Sequence, residues 1–307
     1  MTRQWILFFC LFVLSFSLVS MERKDLDQAI GFADHLFKER DYDRALGKYV
    51  QILSLIKDQA IEDPELIFKI YYRIAKCWFE LEYYDEVEAF LEPAMKIRQD
   101  VIEAHFMRIV CQIYELPNKR DQLKFWKSCF YILKHSENQE HHYDVYLYQG
   151  RWFLDNKQFD RALKKAQKAY DLFQNKKKAP YLFVDIYLAM AENSKKGDAG
   201  YISSYKKIVF WIKVLMDLKD QKPSLFCTLI KACYFLGEYE AALEAVERAI
   251  KMYPEEITFY LLKSRIFEKM KRFQEAVDFL EKSKKFFPNR KWALFILANK
   301  IRQLKKK

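Results

Sequence analysis

Apolar residues recur three and four places apart through most of this chain, in windows of about a dozen residues separated by short polar stretches, which is helical spacing. The C-terminal third shows it most clearly. Ala242, Leu243, Val246, Ala249 and Ile250 fall on one face of a helix, and Glu247, Arg248 and Lys251 are left to water. The pattern predicts a helix over Pro223–Leu236, a tight turn at Gly237 and Glu238, and a returning helix over Tyr239–Met252. Pro254 then stops that helix because it cannot extend the hydrogen-bond ladder. The plan repeats at once, with a second helix over residues 273–287 and Pro288 as its stop.

Five times an aromatic residue is followed three places later by a short aliphatic one at the start of such a helix. The pairs are Tyr42 with Ala45, Tyr84 with Val87, Phe159 with Ala162, Tyr239 with Ala242 and Phe273 with Ala276, and the last two lie 34 residues apart. Between residues 101 and 135 the pattern is degenerate, yet two apolar-periodic segments flank Pro117 and Asn118, which reads as a diverged unit. Residues 180–219 predict another pair, joined by residues 195–200, whose Gly197 and Gly200 mark the expected bend. Residues 291–305 form an extra amphipathic helix through Trp292, Leu294, Phe295, Leu297, Ile301 and Leu304. A terminal helix with a polar outer face is what an open-ended stack requires.

Together these residues resemble the tetratricopeptide repeat family, whose helix–turn–helix unit is about 34 residues long. Small residues in that family sit where two helices cross. Here Ala33, Ala75, Gly150 and Ser264 fill that position in first helices, and Ala45, Ala162, Ala242 and Ala276 fill it in second helices. Tyr71, Tyr146, Phe226 and Tyr260 match the bulky first-helix position, and Trp78 and Phe153 the aromatic beyond it. The resemblance covers nearly all of residues 26–287. It implies an all-α fold, a right-handed superhelical solenoid of about seven such helix pairs plus a C-terminal capping helix. The division expected is 1–20 as signal peptide or membrane anchor, 21–289 as solenoid, and 290–307 as capping helix and basic tail.

Composition agrees with helices: the 307 residues include only 6 glycines and 7 prolines. Arg3, an apolar run over residues 5–19, and Ser15, Ser17 and Ser20 make the three-part pattern of a secretory signal. The expectation is export, periplasmic or secreted, after cleavage; the alternative is a membrane anchor retained over residues 5–21. Beyond Cys10, the cysteines Cys77, Cys111, Cys129, Cys227 and Cys233 are odd in number and scattered, so they read as small buried apolar residues. That usage weighs against an oxidising compartment.

For function, the resemblance implies a groove lined by first helices, reached by the residue after each small crossing position. Those residues are Lys76, Arg151, Lys231 and Arg265, with Asp34 in the first unit, and Tyr72, Phe79 and Tyr234 stand nearby. A basic ladder interleaved with aromatics suits an extended peptide with acidic groups or a free carboxylate. The plain alternative is solvated charge on a chain of net charge +11. The Asn residues of the family's chaperone-binding clamp are absent from the matching places, so no heat-shock adaptor is expected. The lysine runs at 176–178 and 305–307 suit either an anionic membrane surface or solvated loops and tails. No nucleic-acid motif accompanies the charge, so no nucleic acid is expected as partner.

There is no Gly-rich phosphate loop, His-Glu-x-x-His, Cys-x-x-Cys or nucleophile elbow. No enzyme activity, cofactor or small-molecule substrate is expected. His135, His141 and His142 invite a metal reading, but adjacent His141 and His142 project apart and residues 137–140 read as a polar inter-helix loop, so no metal is expected. The function expected is a non-enzymatic scaffold or adaptor that binds a protein or peptide in its groove, at or outside the cytoplasmic membrane. The alternatives are a membrane-anchored structural protein resting lysine clusters on lipid, or an accessory subunit of an envelope enzyme.

Overall fold

The five aromatic positions are helix starts in the three-dimensional structure, a computed structural model that describes residues 23–114 and 120–306. The expected signal or anchor segment, Pro117, Asn118 and Lys307 lie outside the described residues. In chain order the helices are α1 (Arg23–Lys38), α2 (Tyr42–Asp58), α3 (Pro64–Glu80), α4 (Tyr84–Ile97), α5 (Ile102–Tyr114), α6 (Gln122–His135) and α7 (Gln139–Asp155). They continue as α8 (Phe159–Leu172), α9 (Lys178–Asn193), α10 (Ala199–Asp217), α11 (Pro223–Leu236), α12 (Tyr239–Met252), α13 (Ile257–Lys269), α14 (Phe273–Ser283) and α15 (Lys291–Leu304). No strand occurs among the described residues. The helices fall into seven successive pairs and a terminal helix, and the diverged third and fifth pairs are present as α5/α6 and α9/α10.

One turn is used seven times among the described residues, at Ala60 (φ 48°), at Lys219 (59°) and five times ahead of the aromatics. Two residues before each helix-starting aromatic, the backbone is left-handed: Arg40 (φ 62°), Glu82 (62°), Lys157 (57°), Gly237 (79°) and Lys271 (61°). The amide of that residue donates to a carbonyl three residues back, and the next amide to one five back. Lys271 N–H reaches Glu268 O at 3.1 Å and Arg272 N–H reaches Phe267 O at 2.8 Å. This closes the exposed carbonyls at the end of the preceding helix and reverses the chain in three residues. Only Gly237 adopts the conformation without steric cost; the other six residues carry roughly 1 kcal/mol of backbone strain each.

The chain divides into two compact units, Met1–Tyr148 and Gln149–Lys307. In the first, Ala33, Ala45, Ala75 and Val87 are fully buried. One core gathers Ile30, Leu46, Tyr49, Ile52, Ile70 and Ile74; a second gathers Leu91, Met95, Met107 and Cys111. In the second unit Ala162, Ala242, Ser264 and Ala276 are fully buried. Gly150 runs close to its neighbours: a Cβ there would stand 2.6 Å from Leu182 Cδ2 and 3.6 Å from Ala162 O. Side chains this small let paired helices approach, and the Leu and Ile side chains around them contribute the burial, about 1.5–3 kcal/mol each. Cys77, Cys111, Cys129 and Cys233 are buried and Cys227 is half-buried. No helix among the described residues is long and apolar enough to cross a membrane.

Three local expectations change. The helix expected over residues 273–287 is α-helical only to Ser283 and tightens into a 3₁₀ turn over Lys284–Phe286. The glycine-containing segment joins the α9/α10 pair as expected, with Gly197 at φ 91° and Gly200 already helical. The polar stretch 137–140 is a loop only to Asn138, since α7 begins at Gln139 and carries His141 and His142 in its first turn. The first pairs its Nδ1 with Ser136 Oγ at 2.7 Å, and the second donates from Nε2 to Ser136 O at 2.8 Å. Finally, α15 buries Ala293, Leu297, Ile301 and Leu304 in the core of the last pair, but its outer face is not polar: Trp292 is 55% and Phe295 67% exposed.

Candidate peptide-binding faces

The seven residues expected to line a groove fall in both units, Tyr72, Lys76 and Phe79 in the first and the other four in the second. Spacing of three and four residues puts the α3 trio on one helix face. Tyr72 stacks on Phe68 with centroids 5.5 Å apart, and Phe79 meets Tyr84 edge-on at 5.6 Å. The Lys76 ammonium lies 5.7 Å from both the Phe37 and Tyr72 rings, so it is held by aromatic faces from α1 and α3. Burial pushes the Tyr72 hydroxyl up to about 12, and it stays neutral at any physiological pH.

Asp34, the acidic member of the ladder, is already satisfied. It accepts a hydrogen bond from Tyr49 Oη and pairs with Arg73 Nε at 3.2 Å and Lys69 Nζ at 3.3 Å. Burial alone would raise its carboxyl, but the Tyr49 bond and the two cations prevail and hold it below the usual carboxylate range. Lys69 and Arg73 of α3 are therefore paired within the unit, whereas Lys76 makes no ion pair among the described residues.

In the second unit Arg151 is also matched, by Asp155 Oδ1 at 3.2 Å and Asp185 Oδ2 at 3.4 Å. Lys231 is exposed on α11, one turn before Tyr234. Tyr234 and Arg265 come together: the guanidinium stands 5.8 Å from the ring centroid. They line an open cavity of about 770 Å³ shared with Lys269, Phe273, Ile296 and Lys300. Glu268 also lines it, and is bound by Lys300 Nζ at 2.7 Å. Arg265 and Lys269 make no ion pair among the described residues, so the cavity keeps two uncompensated cations beside two aromatic rings. Neither Arg151 nor Lys231 lines it. Sequence reasoning missed Lys269, Phe273 and the α15 residues, because a terminal helix read as a cap was not considered as a wall.

The lysine run at 176–178 has a structural part. Lys177 Nζ lies 3.6 Å from Asp220, a carboxylate only 4% exposed that also accepts a hydrogen bond from Tyr181 Oη at 3.1 Å. Lys176 covers the Phe173 ring at 4.4 Å. Among the described residues no group of acids, histidines and cysteines is arranged to hold a metal ion.

Residues 227–290 match the model of the tetratricopeptide repeat. No curated protein matches it. Among solved structures it is similar to a tetratricopeptide repeat protein from Parabacteroides merdae, at 10% identity and a TM-score of 0.53, covering 92% of this chain and 99% of that one. That likeness shows the fold. Pseudomonas aeruginosa PilF (13% identity, TM-score 0.49, 77% and 99% covered) and PilW, a type IV pilus biogenesis factor (14%, 0.49, 75% and 94%), are also similar; likeness at that level says nothing about function. Tetratricopeptide repeats generally bind proteins or peptides, and scaffolds of this kind are typically non-catalytic.

Proposed function

We propose that this chain is a non-enzymatic scaffold or adaptor that captures an extended acidic segment of another protein in the cavity beside α13 and α15. The observation that carries the reading is the pairing of unneutralised Arg265 and Lys269 with the rings of Tyr234 and Phe273 in one open cavity. Arg offers a planar fork to a carboxylate, and the rings give rigid apolar contact at little entropy cost. Of the other basic residues expected to line a groove, Arg151 already has carboxylate partners, and Lys76 and Lys231 do not line this cavity. We place the scaffold at or outside the cytoplasmic membrane on the strength of the apolar run at 5–19; the mature N-terminus, read by sequencing the protein from its native host, tests that placement.

Selection of displayed random peptides on the full chain tests the binding reading. Acidic residues should be enriched, and the enrichment should vanish with Arg265→Glu and Lys269→Glu together while the melting curve stays put. Enrichment that survives both reversals would remove the cavity from the account.

A further inference from the structure

The outer face of α15 lies apart from the cavity, which takes Ile296, Asn299, Lys300 and Gln303 from this helix. Leu294 and Ala298 stand 34 residues after Tyr260 and Ser264. On α13 that bulky and small pair receives α14: Tyr260 packs with Ala276, Val277 and Leu280, its ring stacks on Phe279 at 5.8 Å, and Ser264 is fully buried. On α15 the corresponding Leu294 and Ala298 are only half-buried, and Phe295 beside them is 67% exposed. Leu294 leans partly on the core of the last pair, and Leu294 and Ala298 keep the spacing of a first-helix crossing without the full burial of Tyr260 and Ser264.

Charge says what fits there. Residues 282–306 contain nine Lys and Arg and no Asp or Glu. Lys284 and Lys305 pair with Glu281, Arg290 with Glu255 and Lys300 with Glu268. Lys291, Arg302 and Lys306, which flank the Leu294 and Ala298 face, make no ion pair among the described residues. A second copy of this chain would set like charges against one another, which opposes self-association. A lipid surface has no use for a small residue that admits a backbone, and the exposed aromatics Trp292 and Phe295 sit only in the first turn of α15. We infer that the face takes an acidic amphipathic helix of a partner protein, laid on Ala298 as α14 lies on Ser264, with carboxylates against Arg302 and Lys306.

The probe is a labelled synthetic peptide with the sequence of α12 carrying Arg248→Glu and Lys251→Glu, titrated against the full chain by fluorescence anisotropy. The expected result is saturable binding, weakened about tenfold or more by Ala298→Arg and by Arg302→Glu with Lys306→Glu, retained by Ala298→Ser, and unchanged by Arg265→Glu. Absence of binding, or binding indifferent to Ala298→Arg, overturns the inference. Loss with Arg265→Glu alone assigns the peptide to the cavity and also overturns it, leaving the proposed function standing. Phosphatidylglycerol vesicles are titrated in parallel; capture of vesicles but not peptide makes the face a membrane contact instead.

Discussion

The α3 face and the α13–α15 cavity are built from the same residue types at matching repeat positions, yet they differ in which cations the protein has already paired. On α3, Lys69 and Arg73 are paired with Asp34, and Lys76 lies against Phe37 and Tyr72 without an ion pair among the described residues. Beside α13, Arg265 stands over the Tyr234 ring, and neither it nor Lys269 makes an ion pair among the described residues. A cation already paired with a carboxylate gains little from a second one, and must give up the first to bind it. The difference teaches that a basic ladder is a statement about positions, while binding capacity depends on which rungs the protein itself has neutralised.

The comparison breaks most sharply at Asp34. Asp34→Ala removes the acceptor of Tyr49 and the partner of Lys69 and Arg73, and should lower stability by about 1–2 kcal/mol in chemical denaturation. The same carboxyl gives a pH signature. Its folded-state value lies below the unfolded one, so its stabilisation is present above the ordinary carboxylate range and fades as pH falls through the lowered value. A variant that melts like the parent would show that the pairing contributes nothing.

The turns sharpen the comparison from the other side, since both units use the same left-handed residue. Lys271→Gly in the second unit and Glu82→Gly in the first should each raise stability by about 0.5–1 kcal/mol, and by similar amounts. Glycine at either place that lowers the melting temperature would contradict the strain assigned to those turns.

The smallest effect concerns histidine, because all five lie in the first unit. His105 is buried, stacks on Tyr131 at 4.0 Å, and places Nε2 2.9 Å from Gln99 O and Nδ1 3.2 Å from Ser128 Oγ. Burial, with Arg108 and His135 nearby, holds its imidazole below the ordinary value despite the Gln99 bond. Folding therefore favours the neutral ring: that stability is present above the ordinary histidine range and is lost as pH falls through the lowered value. Limited proteolysis in mild acid should open the first unit before the second; equal resistance, abolished by no change at His105, would count against it.

Much of this architecture was legible because helix pairing is local. Aromatic starts, small crossing residues and the stop at Pro254 are set by neighbours within a turn or two, and they are where periodicity places them; the helix before Pro288 instead tightens after Ser283. The left-handed turns were invisible in six cases of seven, since Arg40, Ala60, Glu82, Lys157, Lys219 and Lys271 carry none of glycine's signal. Charge partners were hidden for another reason: Arg151 meets Asp185 34 residues away and Lys177 meets Asp220 43 residues away, one repeat or more along the chain. The α15 face was misjudged because amphipathicity shows which side is buried but not whether the other side is finished.

Hydrogen exchange of the full chain with and without a saturating acidic peptide from the selection tests the central claim most directly. Protection confined to the cavity helices α13 and α15 and the C-terminal end of α11, with α3 unchanged, is the predicted result. Protection along α3 around Lys76 would contradict the account and restore the continuous ladder.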